Sequence, residues 1–216
     1  MRHPRKLVVL DVDSTLTRDE GIDLLASFVS EDVATQVATI TAAAMRGELD
    51  FEESLKRRVA TLKGVSVDAV AAATAKVRVT EGAHELVSEL HALGHLVGAV
   101  SGGFHHMIDP LARDLKLDFH RANVLEVQGG CLTGTTVGTV VDAQVKAATL
   151  REWARENGID MAHTVAVGDG GNDVEMLRAA GVGIAFMAKP VAKEAADVSI
   201  DVPDLRLVLD VLGLRG

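Results

Sequence analysis

The stretch Leu7-Val8-Val9-Leu10-Asp11-Val12-Asp13-Ser14-Thr15-Leu16 decides the fold. Its first four residues form an apolar run, which is typical of a short strand buried on both faces of a sheet. Two aspartates follow, and burying a carboxylate is unfavourable unless something compensates it. An extended backbone points Asp11 and Asp13 to the same side. The pattern therefore predicts a bound cation, carboxylate chemistry or both. Taken alone, it also allows Asp13 or Ser14 simply to cap a following helix.

The composition favours a soluble α/β protein. A chain of 216 residues suits one domain, or one domain with a sizeable insertion. It is 48% hydrophobic but only 3% aromatic, so its core must consist of Val, Leu, Ala and Ile. A net charge of -9 argues against general nucleic-acid binding. The single cysteine, Cys131, cannot form an internal disulfide, which fits a reducing compartment. Since no apolar run is long enough for a signal sequence or a membrane span, we expect a cytoplasmic protein without a membrane partner.

A long helical segment follows the first strand. Ser30 is a good helix start, and Asp50 with Glu53 three positions later predicts a capping box. About sixty residues show helical patterns and no strand. We therefore expect residues 17–76 to form a helical cap domain inserted after the first strand, with residues 1–16 and 77–216 forming the core domain.

Strands and helices alternate in the rest of the chain. Strands are predicted at residues 95–100, 164–167, 182–185 and 198–200, with helices between them and a hairpin or flap over residues 121–138. Such alternation predicts an α/β fold with a doubly wound parallel sheet that is covered by helices on both faces.

Three predicted strands end in polar signatures, namely Asp11-Val12-Asp13, Ser101-Gly102-Gly103 and Gly168-Asp169-Gly170-Gly171-Asn172-Asp173. In a parallel sheet these carboxyl ends meet at one edge, where ligands bind. A serine followed by two glycines suits a phosphate oxygen, because backbone N–H groups can approach an oxyanion closely there. The aspartates supply hard oxygen ligands suited to Mg²⁺. Lys146 can add positive charge, although alone it would be interpreted as a solvated helix lysine.

These motifs resemble those of a known superfamily. Asp11-x-Asp13-x-Thr15, Ser101, Lys146 and the glycine-rich 168–173 segment have the order and approximate spacing of the four haloacid dehalogenase (HAD) motifs, and the resemblance covers essentially the whole chain. Glu20-Gly21-Ile22-Asp23, the segment 51–58 and Ser101-Gly102-Gly103-Phe104 are similar to stretches of the phosphoserine phosphatase family within it. The chain departs from that pattern at Gly21, where a bulkier residue is common, and at His105-His106.

The resemblance implies a Rossmann-like HAD core with an inserted helical cap, and a catalytic role for two aspartates. Asp11 would be the nucleophile that forms an aspartyl phosphate. Asp13 would be the general acid toward the leaving alcohol and then the general base toward water. Mg²⁺ would be held by Asp11, the backbone carbonyl of Asp13 and Asp169. Asp173 would support the site, although an acidic residue in a first helical turn is a competing explanation.

The resemblance also implies the groups that bind the substrate. Ser101, Gly102, Lys146 and Asn172 would bind the phosphoryl group. Glu20 and Arg58 would bind the substrate ammonium and carboxylate, with ordinary surface charge as the alternative and Arg57 as a neighbouring candidate. His105 and His106 are interpreted as helix surface, with metal binding as the alternative.

The implied activity is Mg²⁺-dependent hydrolysis of O-phospho-L-serine to L-serine and phosphate, the last step of serine biosynthesis. The substrate would be a small phosphomonoester, and the enzyme a monomer or a homodimer that binds no nucleic acid. The alternatives are another small phosphomonoester, transfer of the phosphoryl group to another acceptor, and a phospho-accepting signalling module. Asp13, placed to act as acid and base, and the large cap argue against the signalling module.

Overall fold

The computed structural model describes residues 4–46 and 48–214. Within them one sheet contains β1 Leu7–Leu10, β2 Leu96–Phe104, β3 Phe119–Gln128, β4 Cys131–Val137, β5 Thr164–Gly168, β6 Val182–Phe186 and β7 Val198–Ile200. The strand order is β4-β3-β2-β1-β5-β6-β7. Neighbouring strands are parallel except β3 and β4, which form an antiparallel hairpin. Both the doubly wound α/β sheet and the hairpin predicted over residues 121–138 are confirmed.

Ten described helices surround the sheet: α1 Gly21–Val29, α2 Glu31–Met45, α3 Phe51–Ala60, α4 Val67–Thr74, α5 Ala83–Ala92, α6 His105–Leu115, α7 Ala143–Glu156, α8 Val174–Ala179, α9 Pro190–Ala195 and α10 Leu207–Val211. Asp50 caps α3 by accepting the Glu53 N–H at 2.8 Å. The Glu53 carboxylate pairs with Arg57 at 2.6 Å, so it does not complete the predicted capping box. None of the described helices is long and apolar enough to cross a membrane.

Strand β1 lies at the centre of the sheet and is fully buried. Val8 and Leu10 belong to a core shared with α5 and α10, whereas Leu7 and Val9 belong to a core shared with α7 and α8. Because apolar side chains are needed on both faces, the strand is a continuous apolar run and does not alternate with polar residues. The buried strand fixes the position of Asp11, whose N–H donates to the Val167 carbonyl at 2.8 Å.

The helices α1 to α4 pack together on a third apolar core. That core includes Leu25, Val37 and Leu55, and it extends to Phe104 at the end of β2 and to Leu132 on β4. The helical layer therefore lies over the carboxyl end of β2 and over the hairpin.

Two adjacent chain segments join the helical layer to the sheet. Thr17 and Val79 form an antiparallel bridge, and the Arg78 guanidinium is 2.6 Å from the Asp19 carboxylate. The chain therefore enters and leaves the helical layer at one place.

The second strand is longer than predicted. It was expected to end at Val100, but it continues through Ser101-Gly102-Gly103 to Phe104. Its register with β3 shifts between Val100 and Phe104. Glycine at position 103 lets β2 pass close to Asp13, because a Cβ there would lie 3.0 Å from the Asp13 carboxylate. The glycines are therefore part of the strand and do not form a separate turn.

Candidate active site

The polar ends of β1, β2 and β5 meet at one edge of the sheet, as predicted. A cavity of about 560 Å³, counting its open mouth, lies over this edge. Its lining comprises Asp11, Asp13, Glu20, Ile22, Phe51, Leu55, Arg58, Gly102, Gly103, Phe104, Asp169, Asn172 and Lys189. Seven of the predicted site residues are in this lining, and the other three, Ser101, Lys146 and Asp173, are fully buried in the described structure.

Lys146 is a buried cation between two carboxylates. It lies in the first turn of α7, which Asp142 caps by accepting the Val145 N–H at 2.8 Å. Its Nζ is 2.5 Å from Asp11 Oδ1 and 2.7 Å from Asp173 Oδ1. Burial acts to lower the pKa of Lys146, but the two carboxylates outweigh burial and raise it, so the side chain stays charged. A solvated helix lysine is therefore the wrong interpretation.

Asp173 contacts Lys146 and holds the loop after β5 in place. Its Oδ1 contacts Lys146, and its Oδ2 accepts the N–H groups of Asp169 and Gly170 at 3.0 and 3.1 Å. A Cβ on Gly168 would lie 2.5 Å from the Asp173 carboxyl carbon, so only glycine fits at that position. Asp173 makes no side-chain cap to α8. Because both of its oxygens are engaged, Asp173 is placed to support the site and does not face the cavity.

The carboxylates of Asp11 and Asp169 belong to a buried acidic cluster that also contains Asp173. One oxygen from each of Asp11, Asp169 and Asp173 lies within 4.8 Å of the others. Burial, followed by the charge of Asp173, raises the pKa of Asp169 to about 6. Burial and Asp173 also raise the pKa of Asp11 well above its ordinary value, and Lys146 offsets this only in part. A divalent cation held by oxygen ligands would neutralise this cluster.

Asp13 is placed to exchange protons. Its Oδ1 accepts the Gly21 N–H at 2.7 Å, and its Oδ2 accepts the Ser101 hydroxyl at 3.3 Å. Burial and then the neighbouring Glu20 raise the pKa of Asp13 to about 6, close to the range in which acid–base catalysis is efficient. The contact to Gly21 shows that Asp13 does bind the start of α1, yet the same carboxyl also lines the cavity.

The expected phosphate-binding groups lie at or beside the cavity. Ser101 is fully buried, and its Oγ accepts the Gly103 N–H at 2.8 Å. Gly102 and Asn172 line the cavity. A Cβ on Gly102 would lie 2.9 Å from the Phe51 ring, so glycine lets the helical layer close onto β2.

Glu20 and Arg58 reach the cavity from the helical layer. Glu20 precedes α1, and its carboxylate accepts the Ser14 hydroxyl at 2.6 Å. Arg58 on α3 is half-buried; burial lowers its pKa, and Asp23 and Glu20 oppose that effect. Arg57 instead pairs with Glu53 at 2.6 Å and is 55% exposed. The structure thus places Arg58, and not Arg57, at the cavity.

A family model described as haloacid dehalogenase-like hydrolase matches residues 8–178. The chain belongs to this family. It is 48% identical to the phosphoserine phosphatase of Streptococcus thermophilus over 98% of each chain. It is 51% identical to the phosphoserine phosphatase of Streptomyces coelicolor, and the matched region covers 99% of this chain but only 52% of that relative. It thus spans about half the length of the latter.

Solved structures agree with this assignment. A phospho-aspartyl intermediate analogue of phosphoserine phosphatase matches with a TM-score of 0.90 and 42% identity, covering 97% of this chain and 99% of that chain. A substrate-bound phosphoserine phosphatase complex matches with the same values. The fold of this chain is therefore shared with these solved structures over nearly its full length.

The sequence analysis missed one charged residue of this haloacid dehalogenase site. Lys189 lines the cavity, and its N–H donates to the Asp169 carbonyl at 2.8 Å. Its charge also acts to lower the pKa of Asp169. Lys189 follows β6 and precedes Pro190. A lysine shortly after the predicted strand 182–185 was thus a usable signal, because that strand ends at the same edge of the sheet.

His105 was predicted to lie on the helix surface, but in the structure it is half-buried and both of its ring nitrogens have partners. Its Nε2 accepts the Ala122 N–H at 3.2 Å, while its Nδ1 is 2.8 Å from Asp109, which also contacts His120 at 2.9 Å. Because an N–H occupies Nε2, neutral His105 carries its proton on Nδ1 and cannot offer that atom to a metal. This cluster links α6 to β3. His106 is half-buried, and its Nδ1 atom lies inside the protein without a hydrogen-bond partner among the described residues.

Proposed function

We propose that the chain is a Mg²⁺-dependent phosphoserine phosphatase that hydrolyses O-phospho-L-serine to L-serine and phosphate. One observation carries the proposal: a single cavity combines Asp11, paired with the buried Lys146, and the opposite charges of Glu20 and Arg58. The first pair suits phosphoryl transfer, and the second suits the ammonium and carboxylate of an amino acid. The relatives named phosphoserine phosphatase support this proposal.

Asp11 and Asp13 divide the chemistry. Asp11 attacks phosphorus, the bond from phosphorus to the seryl oxygen breaks, and Asp13 gives its proton to that oxygen. Asp13 then takes a proton from water, which attacks the aspartyl phosphate and releases phosphate, regenerating Asp11. The pKa of Asp13, raised by burial and by Glu20 to about 6, suits a group that must carry a proton in one step and lack it in the next.

The acidic cluster fits Mg²⁺. Asp11 and Asp169 would hold the ion together with the backbone carbonyl of Asp13, and Asp173 would support them because Lys146 and two N–H groups occupy its oxygens. An all-oxygen set with only two or three protein ligands suits Mg²⁺, which keeps several waters. When bound, the ion would neutralise negative charge on the phosphoryl group.

The remaining residues bind and orient the substrate. Ser101, Gly102 and Asn172 would bind phosphoryl oxygens, and Lys146 would contribute its charge from behind Asp11, since it does not line the cavity. Hydrolysis of phosphate monoesters is among the slowest reactions without a catalyst, and on the order of 20 kcal/mol of transition-state stabilisation is needed. No single group supplies that, so the positive charges and N–H donors must act together.

We further propose that residues 17–76 act as a cap domain over a core of residues 1–16 and 77–216. This cap contributes Glu20, Phe51, Leu55 and Arg58 to the cavity. It would admit the substrate and exclude bulk water during transfer. The single free cysteine supports a reducing, cytoplasmic location, where the enzyme would catalyse the last step of serine biosynthesis as a monomer or a homodimer.

The test is phosphate release from a panel of small phosphomonoesters, with and without Mg²⁺. Phosphoserine should have the highest kcat/KM, phosphoethanolamine, which lacks the carboxylate, should be much poorer, and a chelator should abolish turnover. Equal kcat/KM values across the panel would contradict the assigned substrate, and full activity in chelator would contradict the metal.

A further inference from the structure

Asn123 on β3 is a buried amide that uses both ends of its side chain. It is 2% exposed, its Oδ1 accepts the Val141 N–H at 2.8 Å, and its Nδ2 donates to the Gly102 carbonyl at 2.8 Å. One partner can only donate and the other can only accept, so the orientation of the amide is fixed. Asn123 does not line the cavity.

The bond from Asn123 Nδ2 to the Gly102 carbonyl leads to Ser101 and Asp13 through one peptide unit. The carbonyl of the Gly102–Gly103 peptide contacts Asn123, and the N–H of the same peptide donates to Ser101 Oγ at 2.8 Å. Because that N–H occupies a lone pair of Oγ, the Ser101 proton is directed elsewhere, and Asp13 Oδ2 accepts it at 3.3 Å. A chain of hydrogen bonds therefore runs from Asn123 to the Asp13 carboxyl.

The bond from the Val141 N–H to Asn123 Oδ1 holds the segment before α7, the helix that carries Lys146. Val141 is buried and directly precedes Asp142, which caps α7 and so fixes its first turn. Lys146 lies in that turn. The single amide of Asn123 thus ties the Ser101 end of β2 to the lead-in of the helix that carries Lys146.

The sheet itself does not supply this connection. The register between β2 and β3 shifts between Val100 and Phe104, which is the segment that contains Ser101 and the two glycines. A side-chain amide from β3 therefore holds backbone at the position where the regular ladder is interrupted.

We propose that Asn123 is a positioning residue that sets the Ser101 hydroxyl and the Gly102–Gly103 peptide relative to Lys146 for phosphoryl transfer. The inference rests on the proposed phosphatase function. Asn123 acts through these groups and does not touch the substrate. Loss of its bonds should therefore reduce kcat much more than it raises KM, since Glu20 and Arg58 still bind the amino-acid end.

Two variants and a matched control test this role. Asn123→Asp keeps an acceptor for Val141 but removes the donor to Gly102, and Asn123→Leu removes both bonds while it keeps the same branched side-chain skeleton. Each should lower kcat for phosphoserine about 30- to 100-fold, in line with misplaced transition-state donors, with KM changed less than threefold. Thr164→Val removes a buried hydroxyl that bonds Met161 and Gly181 at the opposite edge of the sheet, and it should leave kcat within twofold. The proposal is wrong if the Asn123 variants keep kcat within twofold of the wild type, or if their loss matches that of Thr164→Val at equal loss of Tm.

A measurement on the wild-type chain does not depend on whether the Asn123 variants fold. The sequence contains three asparagines, Asn123, Asn157 and Asn172, so protein labelled with ¹⁵N in asparagine should show three side-chain amide signals. Asn157→Asp and Asn172→Asp each remove one signal and so identify the third. Addition of inorganic phosphate with Mg²⁺ should shift the Asn123 signal and leave Asn157 unchanged. An unmoved Asn123 signal when Asn172 shifts would overturn the role. If phosphate shifts Asn123 but phosphoserine is not hydrolysed, the proposed substrate fails and the positioning role stands.

Discussion

Lys146 and Asp11 form an ion pair inside the protein, with Nζ 2.5 Å from Oδ1 and side chains 0% and 4% exposed. The same Nζ contacts Asp173, and one Asp169 oxygen lies within 4.8 Å of oxygens of both Asp11 and Asp173. The pair therefore links stability to catalysis, because the charge that compensates buried carboxylates also lies directly behind Asp11, the proposed nucleophile.

Lys146→Met should strongly destabilise the fold and abolish activity. Methionine keeps the approximate shape but leaves buried carboxylates uncompensated, which costs about 3–5 kcal/mol. Urea unfolding at pH 8 in chelator measures the loss. Lys193→Met is the matched control: Lys193 also lies 2.5 Å from its partner Asp201, but both side chains are solvent-accessible, so its loss should stay within about 1 kcal/mol. Equal losses in the two variants would show that burial does not determine the value of the Lys146 pair.

Arg58→Ala should impair the use of phosphoserine selectively. A charged bidentate contact to the substrate carboxylate is worth roughly 2–3 kcal/mol, so kcat/KM should fall by about two orders of magnitude. The loss for phosphoethanolamine, which has no carboxylate, should be much smaller. Arg57→Ala is the control, because Arg57 pairs with Glu53 away from the cavity. Equal losses on both substrates would remove Arg58 from substrate recognition.

Mg²⁺ should stabilise the chain more at pH 7.5 than at pH 5.5. Burial and neighbouring carboxylates raise the pKa of Asp13 and of Asp169 from 3.8 to about 6 in the absence of metal. The folded state therefore binds protons more tightly than the unfolded state, and metal-free stability falls as the pH rises from about 4 to about 6. Mg²⁺ held by Asp11 and Asp169 would displace the proton on Asp169, while the Asp13 carboxyl stays free for proton transfer. Calorimetric Tm values with Mg²⁺ and with chelator at both pH values measure the difference.

Asp169→Asn should raise the Mg²⁺ concentration required for half-maximal activity, because it removes one anionic ligand. The surface variant Asp201→Asn is its control. A Tm increase by Mg²⁺ that is the same at both pH values, or an unchanged Mg²⁺ requirement in Asp169→Asn, would contradict the proposed ligand set.

Local patterns predicted the sheet and the residues at the edge of the sheet beneath the cavity, because each of these signals lies within one short segment of sequence. The apolar run 7–10 needs burial on both faces, and polar residues directly follow three parallel strands. Strand parallelism alone then brings Asp11, Ser101 and Asp169 to one edge.

Other features depend on contacts that no local pattern encodes. Asn123 in a strand looks like an ordinary polar position, and its role emerges only from bonds to Gly102 and Val141, 21 and 18 residues away. The need for glycine at positions 102 and 103 of β2 is visible only from the Phe51 and Asp13 side chains that approach them. His105 likewise bonds β3 through the Ala122 N–H, a contact that the pattern of its own helix does not indicate.

Asp13→Asn should separate the two halves of the reaction. The variant lacks the acid that protonates a seryl oxygen, yet it should still accept a phosphoryl group from an aryl phosphate, whose leaving group needs no proton. Without a base to activate water, hydrolysis of the phosphoenzyme should stall. Turnover of phosphoserine should therefore fall further than the initial burst from the aryl phosphate.

Acid-quench trapping of phosphoenzyme tests the central claim, phosphorylation of Asp11, most directly. Asp13→Asn is mixed with a ³²P-labelled aryl phosphate and Mg²⁺ and quenched within milliseconds to seconds, and the labelled peptide is identified by mass spectrometry. The account predicts near-stoichiometric label on Asp11, much less label at steady state in the wild type, and none in Asp11→Asn. Label on another residue would contradict it, and so would an Asp13→Asn variant that traps no more label than the wild type while it still releases phosphate at the wild-type rate.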